Sequence, residues 1–453
     1  MTTKLDRLDE EDLHLVKIMA DKLQYHLIKN KKPAGFYDGT HIPETYGIAL
    51  PPKMSHLKAV LGWPSIVVDT LEERLDLFGY QDPYDMGLDE IFTSNNLEVE
   101  SSMVHHDSLL YGTGFAVVGS GYEEEPDVLI TVESPNTITA LWNKRLRRAS
   151  AAFSYDNETG EACLYKPDEN VYLLAKNGGW IVLNRDQHRI GRVLVVPFNN
   201  RVRSKGSGQS EITLATEYFT DAGARTAIRM EITSEFYSAP KEVILGGDKD
   251  LLLDKDGNPI SQWTSYLGRT RQIPWNDDEE SKTNPSMIQL EPADPKPFID
   301  EINMFANQLA ASAGFPASYL GTLTNMPTSA DAMAMGESRL VKRAERRQKL
   351  FNRSWLEVAR LALLVRDGEV HEDFNTISTT WMDASTPTRA ATTDAVVKLV
   401  QSGVIPADSS LVADELNLTA AQRKTLEIER TTSRSESMLD TLTSLRNSTS
   451  ERG

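Results

Sequence analysis

The densest run of one charge sign lies between Arg339 and Arg353. There Arg339, Lys342, Arg343, Arg346, Arg347, Lys349 and Arg353 are accompanied by a single acid, Glu345. Lys342, Arg346, Lys349 and Arg353 follow at steps of 4, 3 and 4, which sets them along one side of a helix. Such a stripe can neutralise nucleic-acid phosphates, pair with acidic neighbouring subunits, or simply face solvent. An acidic chain favours pairing or solvation, because exposed charges are screened and find counter-charges easily. Just before it, Leu323, Thr324, Asn325, Met326 and Pro327 carry no charge. They could touch a nucleic acid only by packing and hydrogen bonding, which suits a sliding contact; the alternative is a plain connector between helices.

Other candidates fall away on spacing. His105-His106-Asp107 are adjacent, so their side chains diverge and cannot close on one ion without distant partners. Asp254, Asp256, Gly257 and Asn258 lack the glycine and terminal glutamate positions of a calcium loop and read as a hairpin turn. Gly206-Ser207-Gly208 and Gly112-Thr113-Gly114 suit a hinge or cap better than a phosphate cradle, and no GxxxxGK[ST] occurs. Cys163 sits in a β-like run and reads as inert. No serine–histidine–acid or paired-carboxylate pattern nominates a catalytic residue. The sequence therefore predicts no enzyme, no cofactor and no metal.

The chain has 453 residues with a net charge of −18, from 66 acids and 48 bases. The length suggests about three domains, and 40% hydrophobic residues are enough for a real core. Overall acidity argues against tight grip on DNA, since phosphate-neutralising proteins show basic faces. It is compatible with a protein past which DNA must slide. No apolar run approaches the roughly 18 residues of a membrane span, and the N-terminus is too acidic for a targeting peptide. One cysteine excludes an intrachain disulfide framework, so the reading is a soluble protein made in a reducing cytoplasm.

Stepping along the chain, the first 30 residues predict an amphipathic helix with Leu13, Ile18, Leu23 and Leu27 on one side, ended by Lys31, Lys32, Pro33 and Gly35. Gly62-Trp63-Pro64 opens another. From Phe115 to about Phe198, short β-like runs alternate with turns such as Asn177-Gly178-Gly179. A long helix is predicted from about Ser210 to Tyr237, roughly 40 Å at 1.5 Å per residue, with Leu214, Tyr218, Ile228, Ile232 and Phe236 near one face. A β-like insertion over 241–293 follows, then a helix striped by Phe298, Ile302, Phe305 and Leu309. Thr328 and Asp331 suggest a cap for a helix of roughly 57 Å whose seam is Leu340, Ala344, Phe351, Trp355, Val358, Ala362 and Val365. A strand-like piece near Ile377–Met382 precedes further helices, one stopped by Gly403 and Pro406, another capped by Thr419 and Gln422. The last 23 residues hold 11 Ser or Thr and predict a mobile tail. Two helices flanking a small β module make a stalk with a tip, which buries its apolar stripes best beside other copies.

Several stretches resemble the portal proteins of tailed bacteriophages, of the siphovirus type common in actinobacteriophages. They are Phe36-Tyr37-Asp38-Gly39, Gly62-Trp63-Pro64, Glu73-Arg74-Leu75, Tyr111-Gly112-Thr113-Gly114-Phe115, Gly208-Gln209-Ser210-Glu211-Ile212 and Glu235-Phe236-Tyr237 with Pro240. The most specific are Pro316-Ala317-Ser318-Tyr319-Leu320-Gly321, then Ser329-Ala330-Asp331-Ala332-Met333, then the run from Arg339 to Gln348. The resemblance spans about residues 30–400. It implies an α+β fold of portal-like architecture: an α/β wing (1–208), stem helices at 209–240 and 295–315, and a small β-rich clip (241–294). It further implies a channel loop (316–328) facing DNA through Leu323, Thr324, Asn325, Met326 and Pro327, a long wing helix with return strand (329–386), and a helical crown and tail (387–453).

By the same resemblance the chain is expected to form a homo-oligomeric ring of 12 at one capsid vertex, in the virion, after assembly in the host cytoplasm. Double-stranded DNA would pass through it. The terminase large subunit and later a head-tail adaptor protein would dock on the clip, with Arg269, Arg271 and Trp275 as the docking surface. Major capsid and scaffold proteins would meet the wing, and no membrane is involved. Two other classes stay open from the residues alone: a metal-dependent nuclease, suggested by the carboxylate excess and the basic helix, and a cytoplasmic scaffold with a coiled stalk.

Overall fold

A computed structural model describes residues 8–44, 57–204, 208–237, 241–245, 286–322, 330–385 and, with short interruptions, 387–432. The N-terminal part is mixed, as the sequence predicts. Helices α1 (Glu10–Tyr37) and α2 (Trp63–Glu72) precede strand β1 (Leu77–Gln81), then helices α3 (Leu88–Ser94) and α4 (Leu97–Tyr111). Eight strands follow: β2 (Thr113–Ser120), β3 (Val128–Glu133), β4 (Ile138–Asn143), β5 (Arg148–Tyr155), β6 (Glu161–Tyr165), β7 (Asn170–Lys176), β8 (Gly179–Asp186) and β9 (Val195–Asn199). They form a three-stranded sheet in the order β3-β2-β9 and a five-stranded meander β4-β5-β6-β7-β8. Asn177 and Gly178, at φ 54° and 74°, make the tight β7–β8 turn that their sequence signals.

Helix α1 lies on the meander. Phe153 pairs with Leu164 and Leu164 with Val171, so one cross-strand apolar row faces the helix. Its partners on α1 are Val16, Met19 and Leu23, while Leu13 and Ile18 are 48% and 43% exposed. The predicted face is thus rotated, because i, i+3, i+7 spacing from Val16 meets the sheet better than the looser Leu13–Ile18 step. The helix also runs through Pro33 to Tyr37 rather than ending there. Phe36, only 4% exposed, is held in the main core and carries the last turn inward past the proline.

That main core gathers α2, α4, the three-stranded sheet and a single long helix, α7 (Ala330–Asp367), around Trp355, Phe351, Phe198 and Leu71. Large side chains of this kind each contribute about 1.5–3 kcal/mol when taken fully out of water. The α7 seam is as its spacing predicts: Leu340, Ala344, Phe351, Trp355, Val358 and Ala362 are fully buried. Strand β12 (Ser378–Trp381) returns to pair antiparallel with β1, closing a contact across some three hundred residues.

Between these parts stand two helices, α5 (Leu214–Tyr237) and α6 (Lys296–Ala313), and beyond their outer ends β10 (Lys241–Leu245) pairs antiparallel with β11 (Ser286–Leu290). Their inner ends enter the core through Thr216, Thr220, Ala224 and Ile228 of α5 and Ala306, Leu309, Ala310 and Ala313 of α6. Their outer parts do not: none of the described side chains from Arg229 to Glu235, or from Lys296 to Phe305, is buried. The α6 stripe points as predicted. On α5 the predicted face splits, with Ile228 buried but Leu214 and Tyr218 78% and 59% exposed. Its inward surface is made of small residues and threonines, which hydropathy spacing does not register. Two shorter helices, α8 (Arg389–Gln401) and α9 (Ser410–Glu415), follow, with Gly403 at φ 75° after the first, and helical residues recur between 422 and 432.

Candidate functional site

The inner ends of α5 and α6 are fixed to α7 by buried polar contacts, and several of the residues that make them, among them Arg74, Glu211, Tyr319, Arg343 and Arg347, lie in the recognised stretches. Glu211, just before α5, has a side chain only 2% exposed. Arg343 and Arg347 of α7 reach it at 2.7 and 2.6 Å, Asn200 donates to it at 3.0 Å, and Arg201 stands at 3.6 Å. Burial alone would push this carboxyl up, yet the two guanidiniums hold it below its ordinary value. Three arginines share one carboxylate, so the cluster keeps surplus positive charge. Burial and the neighbouring Arg347 and Arg201 accordingly pull Arg343 down from its usual value.

Close backbone approach makes this cluster possible. Asn200 N–H donates to the Gly112 carbonyl at 2.9 Å, and Glu211 N–H to that of Leu109 at 2.9 Å. A Cβ on Gly208 would lie 1.7 Å from the Gly112 oxygen, and one on Gly112 would lie 2.9 Å from Gln209 backbone. The two glycines let the segment before α5 lie directly on the start of β2. Gly112 and Gly208 are therefore contact glycines, not a phosphate cradle; Gly206 and Ser207 lie outside the described residues.

A second node ties α6 to α7. Arg74, 9% exposed, donates to Glu337 at 3.0 Å, to Tyr319 Oη at 3.3 Å and to the Ala384 carbonyl at 2.6 Å. Tyr319 itself donates to Glu337 at 2.6 Å, and its phenol is pushed up by burial and by that carboxylate. Thr322 donates to the Ala317 carbonyl at 2.8 Å, closing the short 3-10 turn Ala317–Leu320. Arg339 caps the carboxyl end of α6 through the Ala311 carbonyl at 2.8 Å. The stretch 323–329 is thereby anchored at Thr322 on one side, and on the other these contacts begin at Glu337.

A third node is aromatic. His105 is fully buried and stacks on Phe351 at 5.0 Å, and Trp355 donates to its Nε2 at 2.9 Å. Burial pulls this imidazole down to about 3, so it is neutral. His106 turns elsewhere, meeting Tyr37 at 4.9 Å, and the adjacent histidines do diverge. Among the described residues no three His, Cys, Asp or Glu gather around a common point. No described helix is long and apolar enough to cross a membrane.

The basic helix divides in two. Arg343 and Arg347 point into the Glu211 cluster, whereas Lys342, Arg346 and Lys349 are exposed, Lys342 pairing with Glu345 at 2.6 Å. Arg353 leaves the stripe and lies 5.9 Å over Trp142, donating to the Arg147 carbonyl. Leu323, Thr324, Asn325, Met326 and Pro327 lie outside the described residues, as do Arg269, Arg271 and Trp275, Thr328, Thr419 and the tail beyond 432. Sequence reading passed over Glu211 as a buried charge. The signal was there in two arginines four apart on the α7 seam side and a lone acid in a glycine-flanked stretch.

The family described as "Phage portal protein, SPP1 Gp6-like" matches residues 18–413. A portal protein of Mycobacterium phage D29 is 33% identical over 390 residues, covering 82% of this chain and 79% of the relative. One from Mycobacterium phage L5 is 32% identical over 397 residues, covering 83% and 80%. A chain from the neck of a native gene transfer agent particle is similar at 12% identity and a TM-score of 0.45, covering 78% of this chain and 89% of its own.

Proposed function

The chain belongs to the phage portal protein family of the SPP1 Gp6-like type, and from that premise we propose that it works as a ring of 12 copies at one capsid vertex, through which double-stranded DNA enters and leaves the head. The observation that carries this reading is the α5–α6 pair. Its inner ends are locked to α7 by the Glu211 and Arg74 nodes, while no described side chain of its outer parts is buried. Helices held firmly at the root and unburied beyond it, with Ile299 and Met304 46% and 48% exposed, suit a wall built side by side with neighbours.

In this reading residues 1–208 form the wing that meets capsid and scaffold proteins, and α5 and α6 form the stem. The clip at 241–294 docks the terminase large subunit and later a head-tail adaptor through Arg269, Arg271 and Trp275. The uncharged residues 323–327 face the DNA, and the exposed Lys342, Arg346 and Lys349 serve phosphate or subunit contacts. A net charge of −18 keeps the wall from gripping the duplex. The role is mechanical, not enzymatic.

The test is packaging. Heads assembled with the five residues 323–327 replaced by glycine and serine should keep normal size but protect less DNA from nuclease. Normal packaging in heads that lack this chain altogether would overturn the proposal.

A further inference from the structure

Two hairpin turns of the N-terminal part carry opposite charges that no ion pair among the described residues neutralises. The β2–β3 turn reads Tyr122-Glu123-Glu124-Glu125-Pro126-Asp127, and Tyr122 is 75% exposed. It is ordered by Tyr122 N–H donating to Glu125 at 2.9 Å and Gly121 N–H to the Asp127 carbonyl at 3.2 Å. The β4–β5 turn reads Lys144-Arg145-Leu146-Arg147-Arg148. Asn143 fixes it by accepting from the Arg145 and Leu146 amides, each at 3.0 Å. None of these acids or bases makes an ion pair among the described residues.

Behind the basic turn lies a cavity of about 380 Å³. Arg147, Arg148, Arg192, Arg353 and Arg360 line it with one carboxylate, Glu357, and Arg192 already pairs with that one. Arg353 rests on Trp142, and Arg360 lies 4.6 Å over Phe374, so rings rather than acids support them. Burial and Arg147 hold the Arg353 guanidinium below its usual value, the mark of crowded like charge. In a chain with an excess of acids, the described residues nonetheless set five arginines here against one carboxylate.

We propose that this cavity receives the acidic Glu123–Asp127 turn of an adjacent copy of the chain. The inference rests on the ring reading above. Each copy offers one acidic turn and one arginine cavity, so a head-to-tail contact satisfies every pair once the ring closes. Such complementary patches fix register and disfavour wrong partners. Both turns are held by local hydrogen bonds before they meet, which lowers the ordering cost. A protruding turn fits a concave site; the phosphates of a duplex lie on a convex rod.

The test is a charge exchange with a cross-link. Arg147→Glu with Arg148→Glu, and separately Glu123→Lys with Glu124→Lys, should each raise the concentration needed for ring assembly by about tenfold or more. All four changes in one chain should restore it. In rings of Glu124→Cys with Arg148→Cys, a short bismaleimide should give a ladder of joined subunits. The buried Cys163, its thiol pushed up to about 12, stays silent. Rings that assemble normally in every variant and yield no ladder would overturn the contact and leave the ring standing. Unchanged assembly with lost DNA retention in the arginine variant would overturn it in favour of phosphate. Failure of the unaltered chain to form rings would remove the reading beneath it.

Discussion

Replacing Glu211 with glutamine removes one charge from the root of the stem and little volume. Glutamine still accepts from Asn200, but Arg343 and Arg347 are left facing each other with side chains only 17% and 11% exposed. Removing one partner of a buried pair costs about 3–5 kcal/mol, and the retained Asn200 contact argues for the lower end. For a cooperative unit of the size of the N-terminal part, about 3 kcal/mol lowers Tm by about 6–12 °C. Differential scanning calorimetry at fixed protein concentration measures it, since assembly itself shifts apparent stability. Arg201→Ala is the control: at 3.6 Å and 35% exposed, it should cost less than about 1 kcal/mol. Because Glu211 is depressed in the folded state, its contribution is full above the ordinary carboxylate pKa and fades as pH falls through its lowered value. The two proteins should therefore differ most near neutrality and converge in strong acid. A Tm loss below about 2 °C would refute the assignment of Glu211 as the lock.

Arg74→Lys keeps the charge but not the fork that spans Glu337, Tyr319 and Ala384, so hydrogen exchange over 317–322 should accelerate while amides of α1 stay unchanged. His105, held at about 3 when folded, must take up a proton on unfolding between that value and its ordinary 6.5, so stability falls as pH drops through this window. His105→Gln keeps an acceptor for Trp355 and should flatten that part of the denaturation profile. Gly208→Ala, with a Cβ driven into the Gly112 carbonyl, should abolish soluble folded protein. Gly178→Ala, where nothing lies within 4 Å, should cost only the about 1–2 kcal/mol of a positive φ, read by urea titration.

The long apolar seam of α7, the β-rich run from Phe115 to Phe198 and the α6 stripe were legible because each follows one strong period over many residues. Legibility failed where packing uses small or polar residues. The inward face of α5 is built from Thr216, Thr220 and Ala224, with Gly223 so close that a Cβ would lie 2.8 Å from Trp63. The rotated face of α1 and its passage through Pro33 were set by a sheet and a core that lie far away in sequence. The recognised stretches named residues correctly without revealing their physics. Arg74, Glu211, Tyr319 and the arginines of α7 turn out to be partners, and only the fold places an acid from one stretch against bases from another.

Electron micrographs of the purified chain, averaged without imposed symmetry, bear most directly on whether these subunits build a conduit. Closed rings are expected, with a central hole whose wall is made by the α5–α6 pairs. A population of single folded subunits at high concentration, with both helices covered along their full length by the same chain, would contradict it.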